Sequence, residues 1–488
     1  MALLGIDVGT TACKTVLYDL QGVALSAARE EYKLEHPKSR WAEISPTKMW
    51  NAVKKCIYET VKKRNHHVEA LAISSHGEGV IPLNHKNEVI GAEIVSFDGR
   101  SIEETKELEA EFGKRYFFNR GGQMLSSAGT LTKIMWMNNH PHYLGEKPDA
   151  FVCAGDYIAL RLTGDRVVDF SLASRTLLLD VHAKAWNCEL MEYAKISEEQ
   201  LSKPVASGTI IGNINKECAD ELGLSVNTVV VAGGHDQPCA MVGAGALAHD
   251  QAVYSVGTTE TLICSMEEFK PELYNQGLCC YPHVLDGQYI TLPGNFTGGN
   301  LLKWFKNTFI VSGDEAYSYH QMMAEMVDYK SGILVLPHFT TTGSPWNDSE
   351  SHGMIMGLTL STIRGELIRA LQEGVTMEIL LNLELLKKQG IRVEKLLAVG
   401  GGVKSKKLMQ LKADVLGVAL SIPKDSEAAC KGAAYLAGRR IGKNGGEFGL
   451  GNDEFECVLL PNEEMHRQYI DYLVRYNKMY QAQKEIWR

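Results

Sequence analysis

Apolar positions along the chain switch repeatedly between the period of a strand and the period of a helix. Residues 3–8 are almost unbroken in apolar character, as expected of a strand buried on both faces. A Gly9-Thr10-Thr11 turn and a second apolar run at 13–18 complete a predicted hairpin. A third strand is expected at 22–27. Over 46–63 the period becomes helical and puts Trp50, Val53, Ile57 and Val61 on one face. Strands are predicted again at 68–74 and 93–97, and helices at 101–113, 127–138 and 156–162. Residues 169–176 read as a loop with a short helix.

The second half repeats this grammar. Strand 228–232 runs into Gly233-Gly234-His235-Asp236, and a small-residue helix is predicted over 239–248. Strands 252–256 and 261–264 flank Gly257-Thr258-Thr259, a second strand–Gly-Thr-Thr–strand unit, which suggests an internal duplication. A helix opens near Gly298 and a long one covers 361–390. Strand 395–399 enters Gly400-Gly401-Gly402-Val403-Lys404-Ser405 ahead of a helix at 406–416. The last helix, 463–487, carries Met465, Tyr469, Tyr472 and Tyr476 on one face, a packing stripe. The alternation predicts an α/β protein. At this length two domains are expected, divided near Gly245 into 1–245 and 246–488, with no low-complexity linker between them.

Several strand ends carry polar groups, where α/β proteins collect ligands. Asp236 either caps the following helix or carries chemistry. Asp7 closes the first strand, where it could hold a divalent cation directly or through water. Gly9, Thr10 and Thr11 form a turn that could cradle phosphate oxygens, within reach of Lys14. His76 and Glu78 follow strand 68–74 and could bind hydroxyls. Asp98 and Arg100 either pair with each other or project into a pocket that binds a polyhydroxylated ligand. The glycines at 400–402 let backbone pass close to a flat or charged ligand. They do not make a Walker A loop, and the glycines at 243–248 follow no strand, so they are not a dinucleotide fingerprint.

Composition narrows the partners. A net charge of −9, from 50 basic and 59 acidic side chains, argues against non-specific binding to nucleic acid or anionic membranes. No apolar run has the length of a membrane span, and the first residues predict no secretory leader. The 11 cysteines include no CxxC pair and sit mostly in apolar segments, as in a cytoplasmic protein. Cys279-Cys280 reads as strand core, and histidine spacing gives no structural zinc site.

Taken together, these motifs resemble those of the FGGY carbohydrate kinases, over nearly the whole chain. Asp7–Thr11 resembles the family's first phosphate motif, Gly233–Asp236 its catalytic motif and Ser255–Thr259 its second phosphate motif. Gly400–Ser405, continued by Gln410, Ala413, Asp414 and Glu427, resembles its adenosine motif. The resemblance implies two actin-like, ribonuclease-H-like domains with a ligand cleft between them. It also implies transfer of the γ-phosphate of ATP, with Mg²⁺, to a sugar hydroxyl. Asp236 would be the base, and Asp7 and Asp236 the carboxylates on the metal side. Gly9, Thr10, Thr11, Lys14, Gly257, Thr258 and Thr259 would hold phosphates, and Gly401, Gly402 and Ser405 would lie near adenosine. His76, Glu78, Asp98, Arg100 and Asp236 are the expected sugar ligands.

Asp98-Gly99-Arg100 is similar to the Asp-Gly-Arg of xylulokinases, but Gly77-Glu78 departs from their usual Met-His. Glycerol kinases carry an arginine before that glutamate, so Gly77 argues for a larger acceptor. Leu408 stands where a tryptophan is common, and His235 is similar to rhamnulose and fuculose kinases. The expected acceptor is a ketose such as xylulose or a related pentulose or hexulose. The alternatives are a polyol kinase of the glycerol or erythritol type, and a non-catalytic nucleotide- and sugar-binding regulator. An actin-like assembly protein is disfavoured by the sugar loop and by the Gly233–Asp236 spacing. The expected partners are the sugar and ATP, and a homodimer is left open.

Overall fold

The computed structural model describes residues 1–63, 66–310, 318–340, 342–348, 350–424, 427–442, 448–450 and 455–487. The first lobe is built on a six-stranded sheet. Its strands are β1 (Ala2–Val8), β2 (Ala12–Tyr18), β3 (Ala24–Glu31), β4 (Val68–Ser75), β5 (Ile210–Asn213) and β6 (Val229–His235). The order across the sheet is β5-β6-β4-β1-β2-β3, with β1, β4 and β6 parallel. One face is covered by helix α1 (Pro46–Lys62) and helix α2 (Ala154–Thr163). Ser45 caps α1 and Pro46 opens it, where the missing N–H costs nothing. The predicted stripe of Trp50, Val53, Ile57 and Val61 is buried against the sheet. Between β4 and β5 lies an insert with its own core around Phe117, Leu131 and Trp136. It includes the short helix α3 (Phe170–Arg175). Helix α4 (Asp236–Gly243) leaves β6 directly.

The second sheet comprises β7 (Gln251–Val256), β8 (Glu260–Met266), β9 (Tyr281–Pro282), β10 (Tyr289–Thr291), β11 (Gly294–Asn295), β12 (Lys395–Val399), β13 (Ala419–Pro423) and β14 (Phe455–Leu459). Its order is β9-β10-β8-β7-β12-β13-β14, with β11 beside β8. The run β10-β8-β7-β12-β13-β14 repeats the plan of β3-β2-β1-β4-β6-β5, in hairpin, parallel strands and final antiparallel strand. The duplicated Gly-Thr-Thr turns therefore mark a duplicated fold. Helices α5 (Gly299–Phe309), α6 (Arg364–Lys388), α7 (Lys406–Leu416) and α9 (Glu463–Trp487) pack around one shared core. On α9 the tyrosine stripe is buried, and hydroxyls satisfy acidic groups of α6: Tyr469 donates to Glu373 at 2.6 Å and Tyr476 to Glu378 at 2.8 Å.

Helix α8 (Ala428–Arg440) lies on the C-terminal side of the expected division at 245, yet it packs on the first sheet. Its Cys430, Ala433, Ala434 and Ala437 meet Leu3, Val16, Ala70, Ala72 and Val231. Helices α4 and α8 thus lie together between the two sheets. The approach is at backbone distance. A Cβ on Gly243 would lie 1.8 Å from the Ala428 carbonyl oxygen, and one on Gly432 would lie 1.9 Å from that of Cys239.

Boundaries shift for local reasons. The third strand starts after a turn at Gly22, where φ is +80°, and continues to Glu31 as a polar, half-exposed strand that an apolar run does not reveal. The helix expected at 239–248 begins at Asp236 and has ended before Gly245, where φ is +86°. Strand 93–97 is only Glu93–Ile94, and Cys279-Cys280 precede β9 instead of forming it.

Candidate active site

Asp7 is the penultimate residue of β1, in register with Lys14 on β2 and Ser74 on β4. Ser74 Oγ donates to Asp7 Oδ1 at 3.1 Å. Burial, followed by the charge of Asp236, pushes the Asp7 carboxyl up to about 7. The turn that follows is closed by Gly9 N–H donating to the Ala12 carbonyl at 3.0 Å, while the Tyr32 hydroxyl donates to the Gly9 carbonyl. Gly9 therefore serves the turn. Lys14 Nζ is 2.8 Å from Glu427, the residue before α8.

Asp236 is the first residue of α4, so its carboxylate sits at the positive end of the helix dipole. It does not occupy the cap position itself; His235 does. Gln237 Nε2 donates to Asp236 Oδ1 at 3.1 Å, and His235 Nε2 lies 3.2 Å from the same oxygen. Among the described residues nothing hydrogen-bonds Oδ2. The end of β6 is held from α3, where Ser171 Oγ accepts from His235 N–H at 2.9 Å. The other ring nitrogen of His235 meets the Tyr281 hydroxyl of the second lobe at 2.9 Å. Burial pushes the His235 imidazole down to about 4, so the ring is neutral near neutral pH.

The loop after β4 is fixed from several sides. His76 Nδ1 contacts the Val8 carbonyl at 2.9 Å and Nε2 contacts Glu93 at 2.8 Å. Burial pushes this imidazole down, but the Glu93 carboxylate and the Val8 carbonyl outweigh it and hold it at about 9. Glu78 has φ +62°, a left-handed conformation unusual for a side chain of its size. The fully buried Lys133 holds it there by donating to the Glu78 carbonyl at 2.9 Å. The Glu78 carboxylate pairs with Arg175.

In the second lobe, Gly257 N–H closes its own turn onto the Thr259 carbonyl at 3.1 Å. The carbonyls of Gly257 and Thr258 accept from Gly299 and Gly298 at the start of α5. Gly400, with φ +98°, and Gly402 lie against Val256, the residue that enters this turn; a Cβ on Gly402 would meet the Val256 side chain at 2.4 Å. The Gly400–Ser405 loop and the second Gly-Thr-Thr turn are therefore one unit. Space beside Gly401 is open, and Ser405 Oγ caps α7 by accepting from Leu408 N–H. Gln410 donates to Asp414 at 2.8 Å and to the Leu460 carbonyl at 2.9 Å, which fastens the segment before α9.

Between the lobes is a cavity of about 510 Å³ lined by Thr10, His76, Glu78, Asp236 and Thr259. Asp98 and Arg100 do not line it, which corrects the sugar-ligand expectation for both. Asp98 accepts from Ala42 N–H at 2.6 Å, from Arg100 N–H at 2.9 Å and from the Arg100 side chain at 2.8 Å. Arg100 also pairs with Glu43 and lies 3.8 Å from the Trp41 ring centre. The two form an internal ion pair, the plainer of the two readings.

The sequence reading missed cavity residues Gln123, Arg175, Gln237 and Cys279. Gln237 adjoins Asp236 and was open to notice. Gln123 and Arg175 come from the insert, and no spacing links them to the other motifs.

Residues 2–243 match the N-terminal domain, and residues 252–441 the C-terminal domain, of the FGGY family of carbohydrate kinases. Xylulose kinase of Staphylococcus epidermidis is 26% identical over 99% of this chain and 97% of its own length. Glycerol kinase of Brevibacillus brevis is 26% identical over 93% and 92%. Among solved structures, ligand-bound xylulose kinase from Lactobacillus acidophilus superposes with a TM-score of 0.91 at 24% identity, covering 100% of this chain and 99% of that one. A gluconate kinase from the same organism gives 0.90 at 24%, over 99% and 98%. The chain belongs to the FGGY family of carbohydrate kinases.

Proposed function

We propose that the chain transfers the γ-phosphate of ATP to a hydroxyl of a ketose such as xylulose or a related pentulose or hexulose. The observation that carries this reading is the position of Asp236. Its Oδ1 is held by Gln237 and approached by His235, and the cavity beside it joins the sugar loop to both Gly-Thr-Thr turns. Oδ2 is the oxygen left to accept the proton of the acceptor hydroxyl. A carboxylate is a weak base, but phosphoryl transfer has a loose transition state in which the hydroxyl loses its proton late, so placement suffices.

Thr10, Thr11, Thr258 and Thr259 present hydroxyls and backbone at the phosphate end, with Lys14 behind them. The two turn glycines give their N–H groups to the turns themselves. The unit of Gly400–Ser405 with Val256 supports adenosine next to the second turn. Asp7 and Asp236 fit a Mg²⁺ site, because burial and their mutual repulsion hold the Asp7 carboxyl up in its absence. Among the described residues no three ligand side chains gather, so phosphate oxygens and water would complete the shell. The chemistry Mg²⁺ supplies there is neutralisation of phosphate charge.

The length-spanning likeness to relatives named xylulose kinase supports a ketose acceptor. The glycerol-type alternative keeps support from the Glu78–Arg175 pair, described next. An ADP-release assay over ketoses, aldoses and polyols decides between them. A protein that binds ATP and a sugar yet releases no ADP with any acceptor would instead be a regulator.

A further inference from the structure

Glycine at position 77 suggests an empty place in the sugar pocket. The place is filled. A Cβ on Gly77 would meet Arg175 Cγ at 3.1 Å, Arg175 Cβ at 3.2 Å and the His235 ring at 3.2 Å. Arg175 is the last residue of α3, remote from Gly77 in sequence, and it lines the same cavity as Glu78 and Asp236. We propose that Arg175 supplies from α3 the arginine that position 77 lacks, and that the Arg175–Glu78 pair is the specificity element gripping two adjacent hydroxyls of the acceptor. This rests on the cavity being the sugar site.

The chemistry of the pair suits a vicinal diol. A guanidinium only donates and a carboxylate only accepts, whereas each hydroxyl of a diol does both. The planar fork of arginine can address two neighbouring oxygens at once, which a lysine cannot. The pair is also held before any ligand arrives. Arg175 Nη1 donates to Gln123 Oε1 at 2.8 Å, Gln123 Nε2 donates to Ser174 Oγ at 3.0 Å, and Ser174 Oγ donates to the Gly121 carbonyl at 2.7 Å. The guanidinium carbon lies 5.4 Å from the ring centre of Tyr281 in the second lobe. Glu78 is fixed from behind by Lys133. Arg175 Nε is buried and has no hydrogen-bond partner among the described residues, so the donor capacity of this side chain is not used up within the protein. The acceptor class that follows is a ketose or polyol with a free vicinal diol away from the phosphorylated hydroxyl. Gly77 no longer argues against short polyols, because the room it leaves is taken.

The test is steady-state kinetics with whichever of D-xylulose, D-ribulose, erythritol and glycerol the wild type turns over fastest. Arg175→Ala is expected to raise the acceptor KM about 10- to 100-fold, the range spanned by hydrogen bonds to charged groups, with the ATP KM within about twofold. Arg175→Lys should fall between, keeping charge without the fork. Gly77→Arg alone would crowd Arg175 and weaken acceptor binding. Gly77→Arg combined with Arg175→Ala has room for the new side chain and should recover much of the acceptor KM. An unchanged ATP KM shows in each case that the fold is intact. An Arg175→Ala enzyme with wild-type acceptor KM, or with both KM values raised equally, overturns the inference, as does a double variant no better than Arg175→Ala. If the wild type turns over none of the four, calorimetric binding of the same compounds to wild type and Arg175→Ala separates the two failures. Binding that weakens in the variant sinks only the transfer reading, and no binding to the wild type sinks both.

Discussion

At the residue scale, the proposed base Asp236 gives the sharpest test. Asp236→Asn is expected to keep ATP and acceptor binding and to lower kcat by about 10²- to 10⁴-fold; near-normal turnover would remove Asp236 from the mechanism. Asp98→Ala should behave differently. It removes one of the two carboxylates paired with the buried Arg100 and leaves Glu43, so the expected cost is about 1–3 kcal/mol of stability, read as a lowered unfolding midpoint. A selective rise in acceptor KM with normal stability would restore Asp98 to the pocket. His76 gives a pH signature. Its folded pKa of about 9 lies above the unfolded value, so its stabilisation is complete below about pH 6.5 and fades as pH rises through 9. The groups facing it are Glu93, Asp236 and the Val8 carbonyl. Denaturant titrations at pH 7 and 9.5 should show a loss in wild type that Glu93→Gln does not show. The positions of Asp7, Asp236 and both Gly-Thr-Thr turns at strand ends were legible in sequence because each motif is contiguous. The nearness of Arg175 to Glu78 was not, because the two are far apart along the chain. Asp98 and Arg100 were misplaced because an acid and a base two residues apart look the same whether they face a ligand or each other.

At the scale of elements, periodicity located the strands and helices, and the errors fell where backbone geometry or exposure decided the boundary. Gly22 and Gly245 set ends that hydrophobicity does not mark. The polar half of β3 was invisible to an apolar reading. What held α7 to the second Gly-Thr-Thr turn was also hidden. Lys412 on α7 is fully buried and lies 2.8 Å from both oxygens of Glu260, the residue after Thr259, while the Tyr254 hydroxyl donates to the same carboxylate. A buried pair adds little net stability, yet breaking one side is costly. Lys412→Met alone should therefore lose about 3–5 kcal/mol, and Lys412→Met with Glu260→Gln should lose clearly less, since the amide oxygen still accepts from Tyr254. Equal losses in the two variants, by chemical denaturation, would show that the charges are not coupled.

At the scale of the whole molecule, two lobes of one plan share a cavity, and closure around acceptor and nucleotide is the expected motion, excluding water from the transfer. Solution scattering should show compaction on adding acceptor with a non-hydrolysable ATP analogue; identical curves would count against it. The two-lobe plan could be read from the repeated turns, but the location of α8 could not, because its alanine-rich face carries no label for which sheet it covers. That location bears on synthesis. The first sheet keeps one apolar face bare until α8 leaves the ribosome, and at about 5–20 residues per second this is a wait of roughly ten to forty seconds after β6 is made. Over that interval the nascent first lobe is a sticky, half-covered sheet. A fragment ending near residue 245 should therefore aggregate when expressed alone, whereas co-expression with the remaining chain should return it to the soluble fraction.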